Sequence, residues 1–223
     1  MSSVPPIHSS VEASFTITYI LLLTTATITF IEALRTPIPF VRHVLNLETA
    51  ISLIASYFYS LFVSMLQNGG SVENWKQFTI LRYLDWSITT PLMLITLCLV
   101  CGSATHVAIR FPTIFLILLL NYVMLYTGYL GEQGNLSRNT ATMLGFVPFV
   151  VMFYLIYKIF ISTQFVLSNY VFFGIYIVVW SLYGFVYLLE KEELKNMAMN
   201  ILDCIAKCLV GIGLFLFYAK VIV

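Results

Sequence analysis

The amino-acid sequence predicts an all-α membrane protein, a bundle of seven transmembrane helices in a single domain over residues 1–223, and three observations carry that prediction. Hydrophobic residues make up 60% of the chain and charged residues only 9%, too few to keep a soluble domain of this size dispersed. Apolar runs of about 20 residues, the length that crosses a hydrocarbon core, recur seven times. The connections between them are short, so no soluble domain fits among them.

The first run, 14–34, ends at Arg35 and the punctuation Thr36-Pro37-Ile38-Pro39. No charged segment with an apolar core and a small-residue cleavage site precedes it, so it is expected to be a retained span rather than a removable signal. The second, 47–67, runs into Asn68-Gly69-Gly70-Ser71, and Asn46 is a candidate cap for its start. The others cover 79–101, 107–130, 140–162, 166–189 and 196–221.

An odd number of spans puts the chain ends on opposite sides of the bilayer. One side carries Arg35, Arg42, Arg110, Lys158 and Lys220; the other carries Lys76, Arg138, Lys191 and Lys195 amid Glu12, Glu73, Glu132, Glu190, Glu192 and Glu193. The excess of one basic residue points to an extracellular N-terminus. Net charge is +1 and the basic residues are scattered singly, which argues against nucleic acid as a partner. Cys98, Cys101, Cys204 and Cys208 all lie inside apolar runs and read as small hydrophobes, with no metal site expected. His8, His43 and His106 lie at or beyond span ends, so no Ser-His pair forms in the membrane and no hydrolytic enzyme is expected.

Four ionisable residues fall within spans rather than at their ends: Arg82 and Asp85 in the third, Asp203 and Lys207 in the seventh. Each charge near a bilayer centre costs about 2.5–3.5 kcal/mol on insertion scales, so the four are expected to face one another. Arg82 and Asp85, at i, i+3, share a helix face, as do Asp203 and Lys207 at i, i+4. Such a cluster has two readings. One is an ion-pair network locking the third helix to the seventh. In the other, Lys207, about 16 Å of helix from the nearer end and beyond rescue by snorkelling, is an amine free to condense with an aldehyde. The protonated imine then needs a buried counter-ion, and Asp85 and Asp203 are the candidates.

The string Arg82-Tyr83-Leu84-Asp85-Trp86-Ser87-Ile88-Thr89-Thr90-Pro91-Leu92 resembles the third-helix signature of the microbial (type 1) rhodopsins. Leu202-Asp203-Cys204-Ile205-Ala206-Lys207 resembles their seventh-helix Schiff-base motif. Further similarity lies in Met124 with Thr127-Gly128, in Met152 and Tyr154, and in Trp180-Ser181-Leu182-Tyr183; it spans helices three to seven and is weak in the first two. The resemblance implies a seven-helix bundle of the microbial rhodopsin type, with all-trans retinal joined covalently to Lys207. Trp86, Thr90, Met93, Met124, Gly128, Trp180 and Tyr183 would line the polyene, and Met93 there hints at green absorption. Read without the resemblance, these are ordinary packing residues.

Gly184 stands where many relatives have proline, which implies a looser pocket. Thr96 stands where outward proton pumps commonly carry a carboxylic donor. The short chain and a glutamate near the start of helix two look most like the rhodopsins of large viruses of marine protists, which implies an oligomeric ring, trimer or pentamer, in a host cell membrane. The leading expectation is outward proton pumping, with Asp85 as acceptor, Arg82 directing release, Thr89 tuning the carboxylate and Glu48 as reprotonating group. Against Glu48 stands a cap at Asn46, which would set it in the first turn, where the helix dipole holds a carboxylate. Glu32 reads as interfacial. The alternatives are a light-gated ion channel, with Asn200 and Ser14 along its path, and a sensory photoreceptor.

Overall fold

The computed structural model describes residues 9–68 and 75–220. His8, Gly69, Gly70, Ser71, Glu73 and the last residue of the seventh expected span lie outside the described residues. Among the described residues there are seven helices long and apolar enough to cross a membrane and no strand: α1 (Ser9–Arg35), α2 (Pro39–Gln67), α3 (Trp75–Ala104), α4 (Phe111–Glu132), α5 (Arg138–Ile161), α6 (Leu167–Tyr187) and α7 (Glu192–Tyr218). Each matches an expected span. The helices extend past several hydropathic windows because a polar residue at the membrane surface ends the hydrocarbon, not the helix.

The largest difference is at the start of α2. Pro39 occupies its first turn, where a missing N–H costs nothing, and Ile38 is the extended residue before it. The helix therefore begins eight residues before the expected 47, Asn46 is an interior residue rather than a cap, and Glu48 falls in about the third turn. Lys195, counted above with the outer loops, belongs to α7 and is buried against Glu192, with Nζ 2.9 Å from Oε1.

The ends of α3 and α4 share one device. At the end of α3, His106 adopts φ 55°, Val107 N–H donates to Gly102 O at 2.9 Å and His106 N–H to Ser103 O. At the end of α4, Gly134 takes φ 77° while Asn135 N–H reaches Leu130 O at 2.9 Å. A left-handed residue with a bond reaching five residues back closes each helix. Ser137, part of the sequon-like Asn135-Leu136-Ser137, caps α5 by accepting from Thr140 N–H at 3.1 Å.

The chain forms two compact units, residues 1–85 with 189–223, and residues 86–188. The first holds α1, α2, the start of α3 and α7 around an aromatic core of Phe15, Tyr59, Phe62, Trp75 and Phe78, in which Phe62 and Phe78 stack with centroids 5.4 Å apart. Thr29 and Thr49 join α1 to α2 through a buried 2.9 Å hydroxyl contact.

The second unit holds the rest of α3 with α4, α5 and α6. Its aromatic packing runs through Phe149, Phe153 and Trp180. Asn169 of α6 donates to Cys101 O of α3 at 3.0 Å. Pro91, inside α3, has no N–H to give Ser87 O four residues back, and the Tyr122 hydroxyl of α4 donates to that carbonyl instead at 3.0 Å. All four cysteines are free.

Candidate functional site

The four intramembrane charges meet, as their spacing predicts. Lys207 Nζ donates to Asp85 Oδ2 at 2.7 Å and stands 3.6 Å from Asp203 Oδ1. Arg82 Nη1 lies 3.4 Å from Asp203 Oδ2. All four residues are at most 4% exposed. Two acids and two bases leave the cluster neutral, and Lys207 takes both acids as partners while Arg82 pairs with Asp203.

Three residues that sequence reasoning did not place in the cluster complete it. Tyr59, fully buried on α2, donates its hydroxyl to Asp203 Oδ2 at 2.7 Å and accepts from Arg82 Nη1 at 3.1 Å. Arg82 Nη2 donates to Asn200 Oδ1 at 2.8 Å and to Asn196 Oδ1 at 3.2 Å. The guanidinium also lies over the rings of Phe15, Tyr59 and Phe62, 5.4–5.8 Å from their centroids. Nothing in the spacing of α2 marks Tyr59 out; its aromatic neighbours give it the same appearance as a packing residue. Asn200, expected along a channel path with Ser14, is tied to that residue, its Nδ2 donating to Ser14 Oγ at 2.9 Å.

Lys207 sits in a π-helical segment, Cys204–Leu209, within α7. The wider turn adds a residue to the helix just where the lysine must reach Asp85 while its neighbour Asp203 turns toward Tyr59 and Arg82. Glu48 is 1% exposed and meets α7 at Gly211, where a Cβ would fall 3.3 Å from Glu48 Oε2 and 3.0 Å from Thr25 Cγ2. The absent side chain at Gly211 makes the room that the carboxyl occupies. With Asn46 inside the helix, Glu48 lies beyond the first turn, so the dipole objection to its role falls away. Glu32 is partly exposed at the end of α1 and 4.0 Å from Arg35.

The other expected residues fall in the second unit. Trp86 meets Tyr183 edge-on with ring centroids 5.3 Å apart. Thr90 Oγ1 donates to Trp86 O at 2.7 Å and accepts from Asn121 Nδ2 at 2.9 Å. Tyr176 joins two more, its hydroxyl donating to Met93 O at 3.2 Å and its ring lying 5.9 Å from that of Trp180. Met124 and Gly128 are half-buried on α4, with Gly128 O accepting from the Tyr187 hydroxyl at 3.0 Å. Thr89 and Thr96 are fully buried. The looseness expected at Gly184 is not found: the Phe146 ring fills the space, with two of its carbons 2.7 Å from where a Cβ would stand.

The donor set fits an aldehyde held as a protonated imine. Replacing the ammonium of Lys207 by such a nitrogen keeps one positive charge and one N–H, and Asp85 Oδ2 already stands at accepting distance.

Comparison with known proteins agrees. The family described as "Bacteriorhodopsin-like protein" matches residues 10–223. The crystal structure of viral rhodopsin OLPVRII is 41% identical with a TM-score of 0.89, covering 96% of this chain and 100% of that one. The fold is also shared with blue light-absorbing proteorhodopsin from Med12, at 22% identity and TM-score 0.76 over 95% of this chain and 98% of that one. So too with the light-driven proton pump rhodopsin of Coccomyxa subellipsoidea, at 20% and 0.78 over 96% and 99%. A green-light absorbing proteorhodopsin of Gamma-proteobacterium EBAC31A08 is 35% identical over 91 residues, 40% of this chain and 35% of the relative's own length. The chain belongs to the bacteriorhodopsin-like family, the microbial rhodopsins, whose members bind retinal through a Schiff base on a lysine.

Proposed function

We propose that this chain is a light-driven outward proton pump in which Lys207 carries all-trans retinal, Asp85 takes the proton from the Lys207 nitrogen and Glu48 returns one from the cytoplasmic side. The observation that carries the reading is the 2.7 Å hydrogen bond from Lys207 Nζ to Asp85 Oδ2, a path for a proton that needs no rearrangement of the protein. Retinal, when bound, supplies a light-driven isomerisation that changes how the lysine nitrogen is placed and how firmly it holds its proton. Asp203 is the fixed counter-ion: it is farther from the nitrogen, at 3.6 Å, and is held by Tyr59 and Arg82.

Once the proton has moved, Asp85 and the Lys207 nitrogen are both neutral, and Arg82 and Asp203 are left as a single ion pair. Arg82 then moves toward Asn196 and Asn200, which already accept from its Nη2, and favours release on the extracellular side. Thr89, one turn beyond Asp85 in α3, tunes the acceptor. Trp86, Thr90, Met93, Met124, Gly128, Trp180 and Tyr183 line the polyene. The chain works as a homo-oligomer, trimer or pentamer, with its N-terminus outside, in a host cell membrane if the gene is viral. The bonding of Asn200 to Ser14, Arg82 and Tyr59 favours pumping over the channel reading, since these groups saturate one another rather than line an open path.

Expression with all-trans retinal is expected to give a visible band that Lys207→Ala abolishes. Illumination under voltage clamp is expected to give an outward current without a reversal potential. Normal colour in the alanine variant would remove Lys207 from the reading, and a current that reverses with the ion gradient would replace the pump by a channel.

A further inference from the structure

α2 and α7 run antiparallel, and two contacts set their register. Gly211 meets Glu48, with a Cβ at the glycine falling 3.3 Å from Oε2. Eleven residues on along α2 and eleven back along α7, the Tyr59 hydroxyl lies 3.0 Å from Asn200 Oδ1. Between these rungs, four residues from the first on each helix, stand Ser52 and Lys207. One turn carries a side chain back to the same helix face, so Ser52 shares the face of Glu48 and lies at the level of the lysine.

Ser52 is fully buried, and among the described residues its Oγ has no hydrogen-bond partner. The other buried serine and threonine hydroxyls of α1 and α2 differ: Thr18, Thr25, Thr29, Thr49 and Ser56 each donate to a carbonyl of their own helix. A buried hydroxyl left unsatisfied destabilises a fold. Its retention beside the one buried carboxyl of α2 calls for a use outside packing.

Glu48 meets α7 at Gly211, four residues and about one turn along the backbone from Lys207, a gap that exceeds one hydrogen bond. A single hydroxyl both donates and accepts, so it can bridge such a gap. We propose that Ser52 is the relay hydroxyl between Glu48 and the Lys207 nitrogen. The Glu48 carboxyl gives its proton to Ser52 Oγ while the hydroxyl proton of Ser52 passes to the nitrogen. Serine ends as it began, Glu48 becomes a carboxylate and the nitrogen gains one positive charge. A water completes the chain where a side chain falls short, and Glu48 reloads from the cytoplasm. Gly211 keeps the carboxyl in line by leaving it space.

The inference rests on Glu48 as the reprotonating group, and the test separates the two. Recovery of the dark-state absorbance after a flash is followed between pH 5 and 9 in the wild type, Ser52→Ala, Ser52→Thr and Glu48→Gln, and the melting temperature of each retinal-free protein is measured. Ser52→Ala is expected to slow recovery by about a hundredfold, the lower end of what a positioned proton-transfer group contributes, without making the rate follow bulk pH. Ser52→Thr restores it. Glu48→Gln recovers more slowly as pH rises, because protons then come from bulk, and added azide reverses the effect. The retinal-free Ser52→Ala protein melts at the same temperature or higher. Normal recovery in Ser52→Ala beside slow recovery in Glu48→Gln overturns the relay and leaves Glu48 standing. Normal recovery in Glu48→Gln removes the donor and the relay with it. A lower melting temperature in Ser52→Ala makes the hydroxyl structural and also overturns the relay.

Discussion

Arg82 is held by Asp203, Tyr59, Asn196 and Asn200, under three aromatic rings. Removing one side of a buried ion pair strands the other. Arg82→Gln is therefore expected to lower stability by about 3–5 kcal/mol, read by thermal unfolding in detergent. Tyr59→Phe takes away one donor and one acceptor while keeping the ring, and about 1–3 kcal/mol is expected. If Tyr59→Phe unfolds with the wild type, the phenol has no part in holding Asp203. At this scale the four charges were legible because a charge in an apolar run has a high insertion cost, so its presence demands a partner. Tyr59, Asn196 and Ser52 were not, since a tyrosine, an asparagine or a serine in a span is cheap enough to pass for packing.

Helix positions were legible and helix ends less so. Hydropathy finds the part of a helix that touches hydrocarbon, and α2 continues eight residues past it to Pro39; the status of Glu48 turned on that difference. The π-helical turn at Cys204–Leu209 has no composition that announces it, since it arises where side chains on α7 are pulled to different neighbours. Pro91 in α3 is visible in sequence as a lost hydrogen bond, but its compensation by Tyr122 depends on where α4 lies. Tyr122→Phe is expected to cost about 0.5–1.5 kcal/mol in the wild type and close to nothing in a Pro91→Ala background, where an N–H returns to Ser87 O. Equal costs in the two backgrounds, measured by a double-mutant cycle, would remove the compensation.

For the whole molecule, charge asymmetry across the bilayer argues for an extracellular N-terminus, and a short epitope tag placed there is expected to be reached by antibody on intact cells. Labelling only after permeabilisation would invert the topology and the direction of pumping with it. Exposed apolar side chains such as Leu34, Phe111, Val147 and Val150 present the surface that lipid covers. The amino-acid sequence by itself determined the solvent, the seven spans, the family and the buried charges, because each rests on a cost or motif local to one segment of chain. Tertiary structure alone decided that Tyr59 clamps Asp203, that Phe146 fills the gap at Gly184, and that Glu48 meets α7 at Gly211. Those facts depend on the register between helices, which follows from how side chains on different segments fit together and is written in no single stretch of sequence.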